Sequence, residues 1–271
     1  MSRRGAKQKK HMETLLHELK EYWTTRTEGY SEVNQKELEG TQKEAWLSVL
    51  TEQFPEGDKD RIRILDVGCG PGFFPRILAE AGYWVTAVDY TPQMLKKAAE
   101  NAGMYRERIT FLRMDAQNLE FPDGTFDVVI SRNLTWNLEH PEQAYREWHR
   151  VLRPGGILLN FDANWYGYLY DEEKREAYEQ DRKNVESQSL EDHYLCTDID
   201  AMERIARKVP LSHITRPQWD TEVMEETGFE EISWDTDVWK RVWSEEERLN
   251  YASTPMFMVT GRKNTERLGQ K

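Results

Sequence analysis

The sequence predicts a doubly wound α/β domain, and three observations carry that prediction. Short apolar runs alternate with helix-like stretches between residues 62 and 161. The first run ends in a glycine-rich turn, Gly68-Cys69-Gly70-Pro71-Gly72, that opens a helix. Two further apolar runs return near the C-terminus after a long charged helical segment. Strands separated by helices of that length pair in parallel and bury both faces, which is why the runs are continuously apolar rather than alternating.

Taken in order, residues 11–23 place Leu15, Leu16, Leu19 and Trp23 at helical spacing, and residues 35–54 repeat the pattern with Leu38, Trp46, Val49 and Leu50. Residues 24–34, with Gly29 and Ser31, read as a polar link between two helices. Ile62-Arg63-Ile64-Leu65-Asp66-Val67 is a first strand, residues 73–81 a helix, and Trp84-Val85-Thr86-Ala87-Val88 a second strand. A helix is expected over 92–102, strands over 109–114 and 126–131, and a helix over 141–152. Arg153-Pro154-Gly155-Gly156 reads as a turn before a strand over 157–161. Residues 163–215 hold two helical stretches and no strand, so they read as an insertion above the sheet. A helix over 218–227 ends at Gly228, and strands follow around 231–234 and 256–260. The chain thus divides into an N-terminal helical lid (1–54), a core (55–162), a helical cap (163–215) and the end of the core sheet with a loose tail (216–271).

Composition narrows the function. Lysine and arginine number 37 against 49 acidic residues, a net charge of −12, which repels polyanions and argues against nucleic-acid or anionic-membrane partners. The basic start is followed by no apolar run, so no secretory leader is expected, and no stretch is long enough to span a membrane. Cys69 and Cys196 lie in no metal-ligand spacing, so no metal is expected and a reducing cytoplasm fits.

The chemistry concentrates at the ends of the first strands. Glycines serve where the backbone takes positive φ and approaches a ligand, although a merely tight turn would use them too. Asp89 ends the second strand, 17 residues after Gly72, where a carboxylate can pair with two vicinal ribose hydroxyls or stand as an ordinary strand-end acid. Asp115, followed by Ala116, ends the third strand within reach of an adenine amino group. A phosphate-loop NTPase needs Gly-Lys-Ser/Thr after the turn, and Phe73-Phe74 stand there instead. A dinucleotide dehydrogenase wants GxGxxG, whereas this turn spaces Gly68, Gly70 and Gly72 evenly behind Asp66.

That pairing resembles the class I S-adenosylmethionine-dependent methyltransferases. The likeness covers roughly residues 60–161: Asp66-Val67-Gly68-Cys69-Gly70-Pro71-Gly72, Asp89, Thr91-Pro92-Gln93-Met94-Leu95, Asp115-Ala116, Phe126-Asp127-Val128-Val129 and Val151-Leu152-Arg153-Pro154-Gly155-Gly156. It is nearest to the small-molecule branch that includes quinone-biosynthesis C-methyltransferases. The resemblance implies a Rossmann-like seven-stranded sheet of order 3-2-1-4-5-7-6 with strand 7 antiparallel, and S-adenosyl-L-methionine as cofactor. It implies that Gly68, Gly70 and Gly72 approach the cofactor's methionine and ribose, with Asp66 holding the turn or accepting from the amino group and Cys69 as a small residue in a variable slot. Asp89 would hold the ribose, Tyr90 and Met94 pack on the adenine, and Asp115 and Ala116 meet its polar edge. Ser131 and Arg132 would lie under the methionine part, and Trp23 and Tyr30 resemble an N-terminal lid.

Methyl transfer from a sulfonium is an in-line displacement, so alignment and exclusion of water matter more than covalent machinery. A base is needed only if the acceptor must lose a proton, and Asp162, His140 and His193 are the candidates, the histidines also reading as surface or capping residues. Acceptor contacts are expected from Asn133, Trp136, Asn164, Trp165 and Tyr168, the rings serving either a cationic or planar small molecule or the packing of the cap. The late Trp219, Trp234, Trp239 and Trp243 read as packing. The amino-methyltransferases of adenine, cytosine or glutamine carry an Asn/Asp-Pro-Pro-Tyr/Phe run where this chain has Ser131-Arg132-Asn133-Leu134. The expectation is a cytoplasmic methyltransferase, monomer or homodimer, acting on a small-molecule acceptor. An NAD(P)-dependent oxidoreductase and a non-catalytic S-adenosylmethionine-binding scaffold are the alternatives.

Overall fold

The computed structural model describes residues 3–194 and 197–265, with side chains from residue 15 onward. Cys196 and the end of the tail lie outside the described residues.

A long helix α1 (Arg3–Glu39) leads through α2 (Gln42–Thr51) into β1 (Arg63–Val67), α3 (Phe73–Glu80), β2 (Trp84–Asp89), α4 (Pro92–Asn101) and β3 (Ile109–Arg113). Then come β4 (Phe126–Arg132), α5 (Pro141–Val151), β5 (Leu152–Asp162), α6 (Glu172–Ser187), α7 (Ile199–Ala206) and α8 (Gln218–Thr227). The chain closes with β6 (Phe229–Asp235), α9 (Trp239–Val242), α10 (Glu245–Asn250) and β7 (Phe257–Lys263). The strands form one seven-stranded sheet in the order β3-β2-β1-β4-β5-β7-β6, with β7 antiparallel to both its neighbours. This is the Rossmann-like arrangement expected from the resemblance.

The period-2 alternation of the strands builds two cores. Ile64, Val128, Ile130 and Leu159 point to the face covered by α2, α3 and α9, where Trp46, Phe74 and Phe161 stack edge to face. Leu65, Val67, Val129 and Leu158 point to the opposite face, against Tyr145, Trp148 and Val151 of α5 and Met224 of α8. A third cluster joins Leu15 and Leu19 of α1 to Trp136, Tyr166, Tyr168, Tyr178, Met202 and Ile205, and so seats the α6–α7 segment on α1.

Three expectations need correction. Residues 24–34 are not a link: α1 runs through them and breaks only at Gly40. The hydroxyls of Thr24, Thr25 and Thr27 donate to carbonyls three or four residues back, so these polar residues are satisfied inside the helix. The helix is also held from outside. Thr24 meets Gln93, Glu28 pairs with Lys97, and Ser31 accepts from Asn101, one contact per turn along α4. Residues 153–156 are not a separate turn, because β5 begins at Leu152 and absorbs them as an irregularity with Gly155 at φ +76°. Arg262 and Lys263, expected in the loose tail, complete β7 beside β6. Among the described residues no helix is long and apolar enough to cross a membrane.

Candidate functional site

The carboxyl ends of β1, β2, β3 and β4 open on one cleft, roofed by α1. The turn after β1 is docked on β2 by two bonds to one carbonyl, since the N–H groups of Gly68 and Cys69 both donate to Val88 O at 2.8 and 3.0 Å. The N–H of Gly70 then donates to Asp89 Oδ2 at 3.0 Å, and the N–H of Thr91 to Asp89 Oδ1 at 2.8 Å. Burial raises the Asp89 carboxyl above its ordinary range, and these two N–H bonds pull it back. Its carboxylate therefore ties the turn after β1 to the start of α4.

The three glycines of the turn do different work. All have positive φ, +70°, +51° and +92° at Gly68, Gly70 and Gly72. A Cβ at Gly72 would stand 2.9 Å from the Ala98 Cβ, so this glycine lets α3 and α4 pack. A Cβ at Gly68 would meet Leu134 Cδ2 at 2.7 Å, and one at Gly70 would meet the Tyr30 ring at 3.3 Å. Both of those neighbours line the cleft.

The cleft has about 830 Å³ of open space, its mouth included. Gly68, Gly70, Asp89, Tyr90, Met94, Asp115, Ala116, Arg132 and Asn133 line it. Trp23 and Tyr30 reach it from α1, with ring centroids 5.9 Å apart. The remaining expected cofactor residues stand behind this wall. Asp66 is buried, and burial pushes it up to about 8, against the pull of Arg132 and with the push of Asp89. Ser131 donates to Val67 O at 3.1 Å and stitches β4 to β1. Cys69 is buried with its thiol pushed up by desolvation, and Gly72 faces α4.

The candidate bases do not meet at the cleft. Asp162 is wholly buried: it accepts from Arg216 Nη1 at 2.6 Å, the Trp136 N–H at 2.8 Å, the Ala163 N–H at 2.9 Å and Trp165 Nε1 at 3.1 Å. Burial raises its carboxyl and Arg216 opposes the rise. Arg216 also grips Asp220, which accepts from the Tyr145 hydroxyl at 2.6 Å. His140 precedes α5, its backbone N–H donating to Gln117 Oε1 at 2.6 Å. His193 lies against α10, its ring 3.0 Å from Glu246 Oε1 and from the Tyr251 hydroxyl.

Of the expected acceptor residues, Asn133 alone lines the cleft. Trp136 packs on Tyr166 at 5.0 Å, and Tyr168 stacks on Tyr178 at 4.1 Å, so these rings hold the cap to the sheet. Trp165 abuts Tyr251, and the Asn164 amide bonds both the N–H and the carbonyl of Arg216. The sequence reading missed Leu16 and Lys20, which line the cleft with Trp23 at positions i, i+4 and i+7 of α1. That spacing lies within the expected helix 11–23, where it reads as a packing face rather than as the wall of a cleft. It also missed Glu37, the buried partner of Arg132, which no local pattern marks.

Comparison with known proteins agrees with this geometry. Residues 65–160 match the family model described as a methyltransferase domain. The chain is 42% identical over 104 residues to a 2-methyl-6-phytyl-1,4-hydroquinone methyltransferase of Synechocystis, covering 37% of this chain and 32% of that one. It is 38% identical over 99 residues to a malonyl-[acyl-carrier protein] O-methyltransferase of Erwinia pyrifoliae, 36% of each chain. The chain spans about a third to a half of the length of the curated relatives it matches. Among solved structures it resembles phosphoethanolamine N-methyltransferase 2 of Haemonchus contortus in complex with S-adenosyl-L-methionine, with TM-score 0.56 and 20% identity over 80% of this chain and 52% of that one. A methyltransferase from Methanococcus maripaludis described as S-adenosyl-L-methionine-dependent has TM-score 0.58 and 17% identity over 91% and 95% of the two chains. With the strand order, the glycine turn and the strand-end acids, these likenesses identify the core of the chain as a methyltransferase domain of the class I S-adenosylmethionine-dependent kind.

Proposed function

We propose that the chain as a whole is an S-adenosylmethionine-dependent methyltransferase acting on a small molecule enclosed between α1 and the sheet. The observation that supports this most is the single apolar cleft shared by the glycine turn, Asp89, Asp115 and the rings of α1. Its groups suit the cofactor. Asp89 is a half-buried carboxylate with lone pairs beyond those given to Gly70 and Thr91, as a ribose diol requires. Tyr90, Met94 and Ala116 offer a flat apolar slot for a purine, with the Asp115 carboxylate at its edge. Gly68 and Gly70 leave room for the methionine part, and Asp66 lies behind them as its acidic neighbour.

When bound, the cofactor supplies an electrophilic methyl group on sulfur. The chain's own residues then orient and enclose. Asp89 and the glycine turn hold the adenosyl end, while Trp23 and Tyr30 close the roof and keep water from the reacting atoms. Residues 1–54 act as the lid and 163–215 as the cap, through the cluster that joins Leu15 and Leu19 to Trp136, Tyr166 and Tyr168. Asp162 and His140 are not assigned as bases, because the first is spent on Arg216 and the second stands outside the cleft. Calorimetric titration with S-adenosylmethionine and, separately, with NAD tests the reading. Binding of the first alone is expected, and a preference for the dinucleotide would overturn it. Transfer of a labelled methyl group to a small acceptor separates an enzyme from a scaffold.

A further inference from the structure

The side-chain carbonyl oxygen of Asn133 is buried and accepts no hydrogen bond, in a residue that lines the cleft. Its φ of +56° lies in the left-handed region, which asparagine tolerates better than most side chains and which recurs at functional sites. The backbone is clamped on both sides: its N–H donates to Phe161 O at 2.8 Å, and its carbonyl accepts from Trp136 Nε1 at 3.0 Å. The amide stands beside the Tyr30 hydroxyl, and Tyr30 lies over Gly70. The next residue, Leu134, lies on Gly68. An unused acceptor is thus held at the glycine-turn end of the cleft, among the apolar side chains of Leu16, Leu19, Trp23, Leu134 and Leu138. Burying an acceptor without a donor is unfavourable, so an incoming group that brings the donor is favoured there.

The ionisable groups of the cleft are engaged or lie elsewhere. Asp89 serves Gly70 and Thr91, and Asp115 serves Gln117. Glu139, which also lines the cleft, is engaged as well. Arg132 is held by Glu37, Lys20 pairs with Glu21, and burial keeps the Tyr30 phenol protonated. Among the described residues, none beside Asn133 is placed to take a proton from a hydroxyl before attack. A neutral amine needs no such group, since its lone pair is already available, and an apolar site favours its uncharged form.

Resting on the methyltransferase reading, we propose that the acceptor is an amine on an apolar body, whose N–H donates to Asn133 Oδ1 while its lone pair faces the methyl group. The lone pair forms the new N–C bond as the S–C bond breaks with its electrons left on sulfur, and the extra proton leaves the product ammonium for solvent.

Calorimetry on the full chain saturated with S-adenosylhomocysteine tests this, with aniline and benzylamine titrated against phenol and benzyl alcohol. The amines are expected to bind more tightly. Asn133→Gly suits the left-handed backbone and removes only the amide, and it is expected to weaken amine binding about ten-fold, while Asn133→Asp keeps an acceptor oxygen and recovers most of it. Labelled methyl transfer should follow the same order. Amines that fail to bind, hydroxyl compounds that bind as well, or an Asn133→Gly variant with unchanged amine affinity would overturn the amine assignment. Failure of S-adenosylhomocysteine itself to bind would overturn the methyltransferase reading beneath it.

Discussion

The guanidinium of Arg132 and the carboxylate of Glu37 meet in two hydrogen bonds, Nη1 to Oε1 at 2.6 Å and Nη2 to Oε2 at 3.1 Å, and so fasten α1 to the end of β4. Their side chains are 11% and 5% exposed, so the pair lies out of water. Asn34 donates a further bond to Glu37 Oε2, and the rings of Trp46, Phe73 and Phe74 surround the guanidinium at 4.7–5.1 Å. The roof of the cleft and its wall are joined at this point.

Removing Glu37 leaves a buried cation without its partner. Glu37→Ala is expected to cost about 3–5 kcal/mol, read as a fall in the urea midpoint, and Glu37→Gln less because it still accepts from the guanidinium. A loss below about 1 kcal/mol, the range of exposed pairs, would show that water screens the site.

Gly70 and Gly72 should fail differently. A Cβ at Gly72 presses on Ala98 at 2.9 Å with φ at +92°, so Gly72→Ala is expected to cost about 1–3 kcal/mol of stability. At Gly70 the nearest atom is the Tyr30 ring at 3.3 Å, which can shift. Gly70→Ala should therefore fold with a smaller loss but weaken cofactor binding by about ten-fold, or about 1.4 kcal/mol. Thermal unfolding and calorimetry on both variants check the contrast.

Asp66 should make stability fall as pH rises. Its folded pKa is raised from 3.8 to about 8, first by burial. The native state therefore binds a proton that the unfolded chain has released, and the stability this confers is full below about pH 4 and lost as pH climbs through about 8. Between pH 6 and 9 the urea midpoint of the natural chain is expected to fall further than that of Asp66→Asn, which has no proton to lose. Parallel falls would show that Asp66 ionises normally.

Arg216 neutralises two buried carboxylates. Arg216→Ala leaves Asp162 and Asp220 facing an uncompensated interior, and a loss of about 3–5 kcal/mol is expected. Arg216→Lys should recover only part of this, since an ammonium does not reproduce the fork that spans both acids. Because Asp162 also holds the Trp136 N–H, whose turn carries the cleft residue Asn137, the surviving Arg216→Ala protein should bind acceptor less well. Circular dichroism melting curves and acceptor titration measure the two effects.

The sheet was legible because its information is local. Each parallel strand is a short apolar run bounded by turn residues, and the glycines and Asp89 fall at strand ends where chain geometry alone puts them on one edge. The wall proposed to hold the cofactor follows from that, and Gly68, Gly70, Asp89, Tyr90, Met94, Asp115 and Ala116 all line the cleft. The residues expected to meet the acceptor were less legible. Trp136, Trp165 and Tyr168 are aromatic residues on loops, and the sequence does not distinguish a ring that faces a ligand from one that packs a cap.

The sequence by itself determined the parallel core, the glycine turn and the strand-end acids, because hydrophobic period and backbone stereochemistry act within a few residues. Only the tertiary structure decided that α1 runs unbroken over the cleft, since its polar middle is held by Gln93, Lys97 and Asn101 of α4. It also decided that Asp162 belongs to Arg216, 54 positions away, and Glu37 to Arg132, 95 positions away. A buried charge takes whichever partner the fold brings within hydrogen-bond reach, and that choice is made in space rather than along the chain.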